Sequence, residues 1–139
     1  SQLYEAVLQH DLDNIESIIK AFFSSIPHNW HRNNPIANYE GYWASVFYAL
    51  FASLGFQTIT EDATSLGNID MTLIIGDHVY IFEFKVVNGK NDQPQGTALA
   101  QIQQKRYADK YTTPSRIIHQ IGIEFHRETH AVIFDRGEG

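Results

Sequence analysis

The stretch from 67 to 87 constrains the fold most, because it contains a strand that is apolar on both sides. Two apolar runs, 68–75 and 79–87, flank a short Gly76-Asp77-His78 segment, and this pattern predicts a β-hairpin. Alternation in the second run places two sets of side chains on opposite faces: Val79, Ile81, Glu83, Lys85 and Val87 on one, and Tyr80, Phe82, Phe84 and Val86 on the other. Such a strand is typically central and buried in its sheet.

Charged residues on this strand require an explanation, because burial of a charge is costly unless it is paired or bound to an ion. Glu83 and Lys85 share the face that also carries Ile81. Asp70 lies near the start of the preceding strand, where a short hairpin brings it alongside Glu83. Two carboxylates and a lysine at one sheet edge predict an oxygen site for a divalent cation with an ammonium beside it. The alternative is a cross-strand ion pair on a half-exposed sheet, which the aromatic opposite face disfavours.

Composition narrows the class of protein. The chain has 139 residues, which suits one domain, and it has no cysteine, which excludes disulfides and thiolate zinc sites. The formal net charge of −6 argues against a simple basic nucleic-acid binder, but it is compatible with carboxylates that hold metal ions. No apolar run reaches membrane-spanning length and the start is not a signal peptide, so we expect a cytoplasmic domain. The missing initiator Met predicts a fragment of a longer protein.

Helical periodicity dominates the first third of the chain. Apolar positions over 1–26 predict two helices, and the proline-rich stretch 27–39 predicts a loop. A third helix is expected from about Asn38, a good N-cap, to Gly55, a good stop. Glu40 falls three residues before Trp43 and therefore on the inward face of this helix, although a helix dipole alone would also favour a glutamate there.

The second half of the chain alternates strands with one helix. We expect strands at 56–60, 116–124 and 129–134, a polar turn at 61–67, and a helix over 97–111. This order predicts an α/β domain with a mixed sheet flanked by helices. On the 97–111 helix, Gln101 shares a face with Lys105, and Gln103 shares one with Tyr107.

Four segments in this order carry a family resemblance: YEGYWASVFYALFASLGF, GNIDMTLIIGDHVYIFEFKVV, ALAQIQQKRYADKY and IIHQIGIEF. Together they resemble the PD-(D/E)XK nuclease superfamily, which has the restriction-endonuclease-like fold. More narrowly, they resemble the nuclease-like domain found C-terminal to bacterial AAA-ATPase-like domains. The resemblance covers about 3–134 and implies one domain, with N-terminal helices over 1–26 and a nuclease core over 38–135. Ile69 stands where the superfamily's name has proline.

The resemblance also implies roles for site residues. Asp70 and Glu83 match the metal-binding acids, and the Phe84 backbone carbonyl would complete the protein ligands of Mg²⁺ or Mn²⁺. Lys85 matches the catalytic lysine, and Glu40 matches a helper in metal or water binding.

Further positions are implied around this centre. Gln101 matches the polar residue on the helix after the catalytic strands, although Gln103 with Tyr107 forms a competing pair. Nucleic-acid contacts would come from a small polar and basic set: Lys90, Lys105, Arg106 and Tyr107.

The function implied is metal-dependent hydrolysis of phosphodiester bonds in nucleic acid, with DNA as the first expectation. An N-terminal ATPase-like domain is the expected intramolecular partner, and a second copy of the chain is a further candidate partner. Two alternatives stay open. One is a non-catalytic nuclease-fold module for interaction or regulation of an ATPase-like protein. The other is a plain α/β domain with a surface ion pair.

Overall fold

The computed structural model describes residues 1–89 and 93–137. The helices are α1 Gln2–Leu8, α2 Leu12–Ser24, α3 His28–Asn33, α4 Glu40–Ser53 and α5 Thr97–Gln104. Single 3₁₀ turns cover Pro35–Asn38 and Tyr107–Lys110. The strands are β1 Gln57–Thr64, β2 Gly67–Ile75, β3 His78–Val87, β4 Ile117–His126 and β5 Ala131–Arg136. Among the described helices, none is long and apolar enough to cross a membrane.

The described strands form one mixed sheet in the order β1-β2-β3-β4-β5. Neighbours pair antiparallel except for β3 and β4, which run parallel and are connected through α5. The central position of β3 confirms the prediction from its doubly apolar pattern. The α/β class, the mixed sheet and the additional N-terminal helices are likewise confirmed.

The two faces of β3 pack against different layers. Its aromatic face joins the main core beneath α1, α2 and α4, where the rings of Phe84 and Phe47 lie 5.0 Å apart between centroids. Val79 and Ile81, on the other face, pack with Ile102 of α5 in a second core. Helices therefore cover both faces of the sheet, as the strand's alternation predicts.

The loop predicted over 27–39 is wrong, because the stretch folds into α3 and a 3₁₀ turn. The prolines that suggested a loop stand at element starts: Pro27 caps α3, and Pro35 opens the 3₁₀ turn. The next helix begins at Glu40 with Tyr39 as its N-cap, rather than at Asn38. The predicted stop is confirmed at Gly55, which has a φ of +89°.

The polar turn predicted at 61–67 is also wrong, because β1 continues to Thr64. Its polar residue Asp62 is 4% exposed and accepts hydrogen bonds from the hydroxyls of Thr72 and Tyr111 and from the Lys110 ammonium. These partners come from other elements. Their hydrogen bonds stabilise Asp62 in a buried strand position, although the residue type by itself favours a turn.

Helix α5 is shorter than predicted and lies unusually close to the sheet. It ends at Gln104, and Arg106 adopts a φ of +53° before the second 3₁₀ turn. Gly122 of β4 permits the close approach, because a Cβ built there would lie 2.6 Å from the Leu99 backbone nitrogen and 3.0 Å from Ala98 Cβ. The absence of a side chain at Gly122 therefore sets the spacing between α5 and β4.

Candidate active site

The candidate site begins where β2 and β3 part. Their ladder ends at the Met71–Phe82 pair, whereas β3 stays paired with β4 as far as Val87. The amide and the carbonyl of one strand residue point to the same side of the strand. Phe84 and Val86 therefore direct these groups into the gap that β2 leaves.

Two acidic side chains enter this gap and bind the open strand edge. Asp70 Oδ2 accepts a hydrogen bond from the Phe84 amide at 2.9 Å. Glu40 Oε1, from the start of α4, accepts one from the Val86 amide at 3.4 Å. The structure thus brings both carboxylates to the edge toward which the Phe84 carbonyl also points.

Glu83 lies beside Asp70, as the register of the preceding pair requires. Its side chain is 2% exposed, and its Oε1 accepts a hydrogen bond from Gln101 Nε2 at 2.7 Å. Its Oε2 is buried and accepts no hydrogen bond from the described residues. A buried carboxylate oxygen without a donor is costly, so this atom calls for an ion or a proton.

The electrostatics of the pair agree with that need. Burial, together with the neighbouring Asp70 charge, raises the pKa of Glu83 to about 8. Burial also raises the pKa of Asp70, against the lowering effect of the Phe84 amide, and the charge of Glu61 adds to the rise. Two adjacent carboxyls in a dry site hold a proton near neutral pH unless a cation replaces it.

Lys85 is half-buried on the same strand face as Glu83. In the described part of the chain, no carboxylate oxygen lies within 4.0 Å of its Nζ. Its charge nevertheless lowers the pKa of both acids, against the larger effect of burial. The ammonium is therefore near the pair without being committed to an ion pair.

The α5 side of the site resolves the choice between two glutamines. Gln101 contacts Glu83, whereas Gln103 is exposed. Tyr107 is 2% exposed and hydrogen-bonds to Gln101, so it supports that side chain from beneath. It is not at the surface where a nucleic acid would lie.

A family model of the PD-(D/E)XK nuclease superfamily matches residues 38–135, well over half of the chain. The chain belongs to the PD-(D/E)XK nuclease superfamily. Members of this superfamily typically use divalent metal ions. The resemblance predicted from the four segments is confirmed at this level, and the narrower likeness to ATPase-linked domains stays a prediction.

One curated relative is an uncharacterized protein encoded in the vnfD 5′ region of Azotobacter chroococcum mcd 1, which is 52% identical over 132 residues. The match covers 95% of this chain and 25% of the relative. The PD-(D/E)XK chain therefore spans about a quarter of the length of that protein. Among solved structures, none matches this chain.

The basic residues predicted to contact nucleic acid have mixed placements in this PD-(D/E)XK domain. Lys105 and Arg106 are exposed and line a cleft of about 710 Å³ between α5 and the β1–β2 turn. Arg106 Nε pairs with Asp109 Oδ2 at 2.9 Å on the surface. Lys90 lies outside the described residues.

Sequence reasoning missed Glu124, a fully buried acid on β4 in register with Lys85. Its two oxygens accept hydrogen bonds from the amides of Gln95 and Gly96, each at 2.8 Å, and its Oε1 lies 2.9 Å from His126 Nε2. Glu124 thereby fixes the segment that leads into α5, and with it the position of Gln101 beside Glu83. The only signal in the sequence was one acid within the apolar run of β4.

Removal of this anchor should be measurable as lost stability. We expect Glu124→Ala to lower the free energy of unfolding by about 2–4 kcal/mol, because two backbone amides and the buried imidazole of His126 lose their acceptor. Urea denaturation measures the change. Glu128→Ala in the exposed β4–β5 turn is the matched control and should change stability by less than about 0.5 kcal/mol. Equal effects of the two substitutions would contradict the anchoring role.

Proposed function

We propose that this domain hydrolyses phosphodiester bonds in nucleic acid, with DNA as the first substrate, in a reaction that depends on Mg²⁺ or Mn²⁺. The observation that carries the proposal is the Asp70–Glu83 pair at the open edge of β3, with Glu83 Oε2 buried and lacking a donor among the described residues. Superfamily membership supports the reaction class.

The residues at this edge fit a hard divalent cation. Asp70, Glu83 and the Phe84 carbonyl offer only oxygen, which Mg²⁺ and Mn²⁺ prefer. Hydrogen bonds to the Phe84 amide and to Gln101 fix one oxygen of each acid and leave the other for an ion. The raised pKa of both acids supports this, because a bound cation would compensate two buried charges that Lys85 compensates only in part. Glu40 would bind a second ion or its waters from the next position along the edge.

Each side chain then has a task. A bound Mg²⁺ or Mn²⁺ would supply Lewis acidity, activating a water and neutralising charge on the phosphate. Lys85 orients that water or stabilises charge developing on the phosphoryl oxygens, because its ammonium forms no ion pair with a carboxylate in the part of the chain that the structure describes. Gln101 holds Glu83 in place, and Tyr107 holds Gln101.

The surface charge of the chain predicts a low affinity for nucleic acid. Lys105 and Arg106 are exposed on the α5 side, the neighbouring Lys110 is paired with Asp62, and the formal net charge of the chain is −6. We therefore propose weak, salt-sensitive binding that another part of a longer protein, such as an ATPase-like domain, strengthens. The same charge favours the second candidate function, a non-catalytic module that keeps the nuclease fold and regulates such a partner.

Cleavage assays separate the two functions. The whole chain should cleave labelled DNA in Mg²⁺ or Mn²⁺ but not in EDTA, with single-stranded, double-stranded and RNA substrates compared. Asp70→Asn should lower the rate at least about 100-fold, because it removes a charged ligand while keeping the shape of the side chain. Asp77→Asn, the same change in the exposed β2–β3 turn, should leave the rate unchanged. No cleavage of any substrate would refute the nuclease and favour the module, whereas an active Asp70→Asn protein would contradict the acidic pair as the catalytic site.

A further inference from the structure

Three histidines converge at the opposite end of β3 from the acidic pair. His78 begins β3, His119 lies on β4, and His10 joins α1 to α2 with a φ of +55°. One ring nitrogen from each of them lies within 4.8 Å of the other two. All three side chains are half-buried, so the cluster is reachable from solvent and shielded on its inner side.

The spacing of the nitrogens is that of a compact ligand set. His78 Nδ1 and His119 Nε2 are 2.9 Å apart, and the ring of His10 stacks on His78 with centroids 3.4 Å apart. Zinc–nitrogen bonds of 2.0–2.1 Å in a tetrahedral site place ligand nitrogens about 3.3 Å from each other. The three rings lie nearly parallel, within 13° of one another, so the imidazoles rotate about their side-chain bonds to direct three lone pairs to one point, and the ion then replaces the hydrogen bond between His78 and His119.

We propose that His10, His78 and His119 form a second metal site, which binds Zn²⁺ through three imidazoles and leaves the fourth position to water. Three neutral nitrogens select zinc or a similar transition metal, whereas the acidic pair selects Mg²⁺ or Mn²⁺. Five residues of strand separate His78 from Glu83, a distance of about 16 Å. This site is independent of the proposed nuclease function.

Tyr80 supports the histidines in the way that metal sites require. Its hydroxyl hydrogen-bonds to His10 Nδ1, and its ring stacks on His119 with centroids 4.3 Å apart. Ligating histidines normally hold their second nitrogen in a hydrogen bond, which fixes the ring and its tautomer. Because the Tyr80 side chain is itself buried, it holds His10 with Nε2 left for the metal.

The placement suggests what the metal does. His10 belongs to the N-terminal helices, which lie outside the 38–135 match to the family, whereas His78 and His119 belong to the sheet within it. Zinc would therefore fasten the α1–α2 connection to the ends of β3 and β4. A metal that binds only the folded chain also stabilises it.

Calorimetry with Zn²⁺ tests the site. Titration of the whole chain in excess Mg²⁺, which occupies the acidic pair, should show one zinc per chain with a Kd of about micromolar or tighter. His10→Asn and His119→Gln should each weaken binding at least about 100-fold, because one of three ligands is lost. The melting temperature should rise on zinc addition in the unaltered chain and stay constant in both variants.

The His10 variant has a matched control. Asparagine accepts a positive φ, so His10→Asn preserves the backbone of the connection. His130→Asn makes the same change at a φ of +58° in the β4–β5 turn and should leave zinc binding intact. Asp70→Asn should also leave it intact, which keeps this result separate from the cleavage assay. Absence of zinc binding, or binding that both histidine variants retain, would overturn the proposal.

Discussion

Lys85→Ala should lower nucleic-acid cleavage about 1,000-fold or more while the melting temperature changes by only a few degrees. The rate should fall because the proposed role of the ammonium, which is to orient water and oppose phosphate charge, is lost. Stability should persist because no carboxylate oxygen among the described residues lies within 4.0 Å of Nζ, and because Glu83 keeps a proton near neutral pH. Cleavage and thermal unfolding should be measured on one preparation.

A structural role for Lys85 would give the reverse pattern. If its charge mainly compensates the acids, Lys85→Ala should cost roughly 1–3 kcal/mol of stability, and Mg²⁺ should restore it. Lys20→Ala is the control, since Lys20 sits in a surface pair with Glu16 on α2 and should affect neither quantity. A fully active Lys85→Ala protein would rule out the catalytic role.

Glu83→Gln should abolish metal binding and also flatten the dependence of stability on pH. In the metal-free fold the pKa of Glu83 is raised to about 8, above its ordinary value near 4.3 in an unfolded chain. The folded state therefore holds a proton that the unfolded state releases within this range. Its stabilising contribution is complete below about pH 4 and is lost as the pH rises toward 8. The raised pKa of Asp70 acts in the same direction.

The expected loss is on the order of 4 kcal/mol between pH 5 and pH 8 for the unaltered chain in EDTA. Mn²⁺ at pH 8 should restore stability, because the ion replaces the proton between the acids. Glu83→Gln should show neither the loss nor the restoration, whereas Glu128→Gln, at an exposed position, should behave like the unaltered chain. Identical pH profiles for all three proteins would contradict the buried, proton-holding carboxyl.

Strand β3 shows what can be predicted from sequence. Its alternation encodes two buried faces, and a hairpin turn of fixed length determines which residue of β2 faces Glu83. Local pattern was therefore enough to predict the central strand, the mixed sheet and the meeting of Asp70 with Glu83. The helix bearing Gln101 follows from its periodicity, although contact with Glu83 required the structure.

Features that depend on distant partners could not be predicted in this way. Asp62 resembles a turn residue until Tyr111, 49 positions later, binds it. His10 and Tyr80 are separated by 70 positions and meet only when the N-terminal helices pack on the sheet. Glu124 likewise finds its amide donors in a segment about 30 residues earlier. In each case the residue and its sequence neighbours do not predict its role, because that role depends on a contact with a distant element.

Gly122 affects the geometry of the candidate site although it contributes no functional group to it. It stands across from Glu83 on the neighbouring strand, and the backbone of α5 occupies the space where its side chain would be. A single methyl group at this position would push α5 away from the sheet. Gln101 would then lose its 2.7 Å hydrogen bond to Glu83. The geometry of the candidate site therefore depends on a residue that has no side chain, and the tolerance of that position to substitution measures how accurately Gln101 must be held.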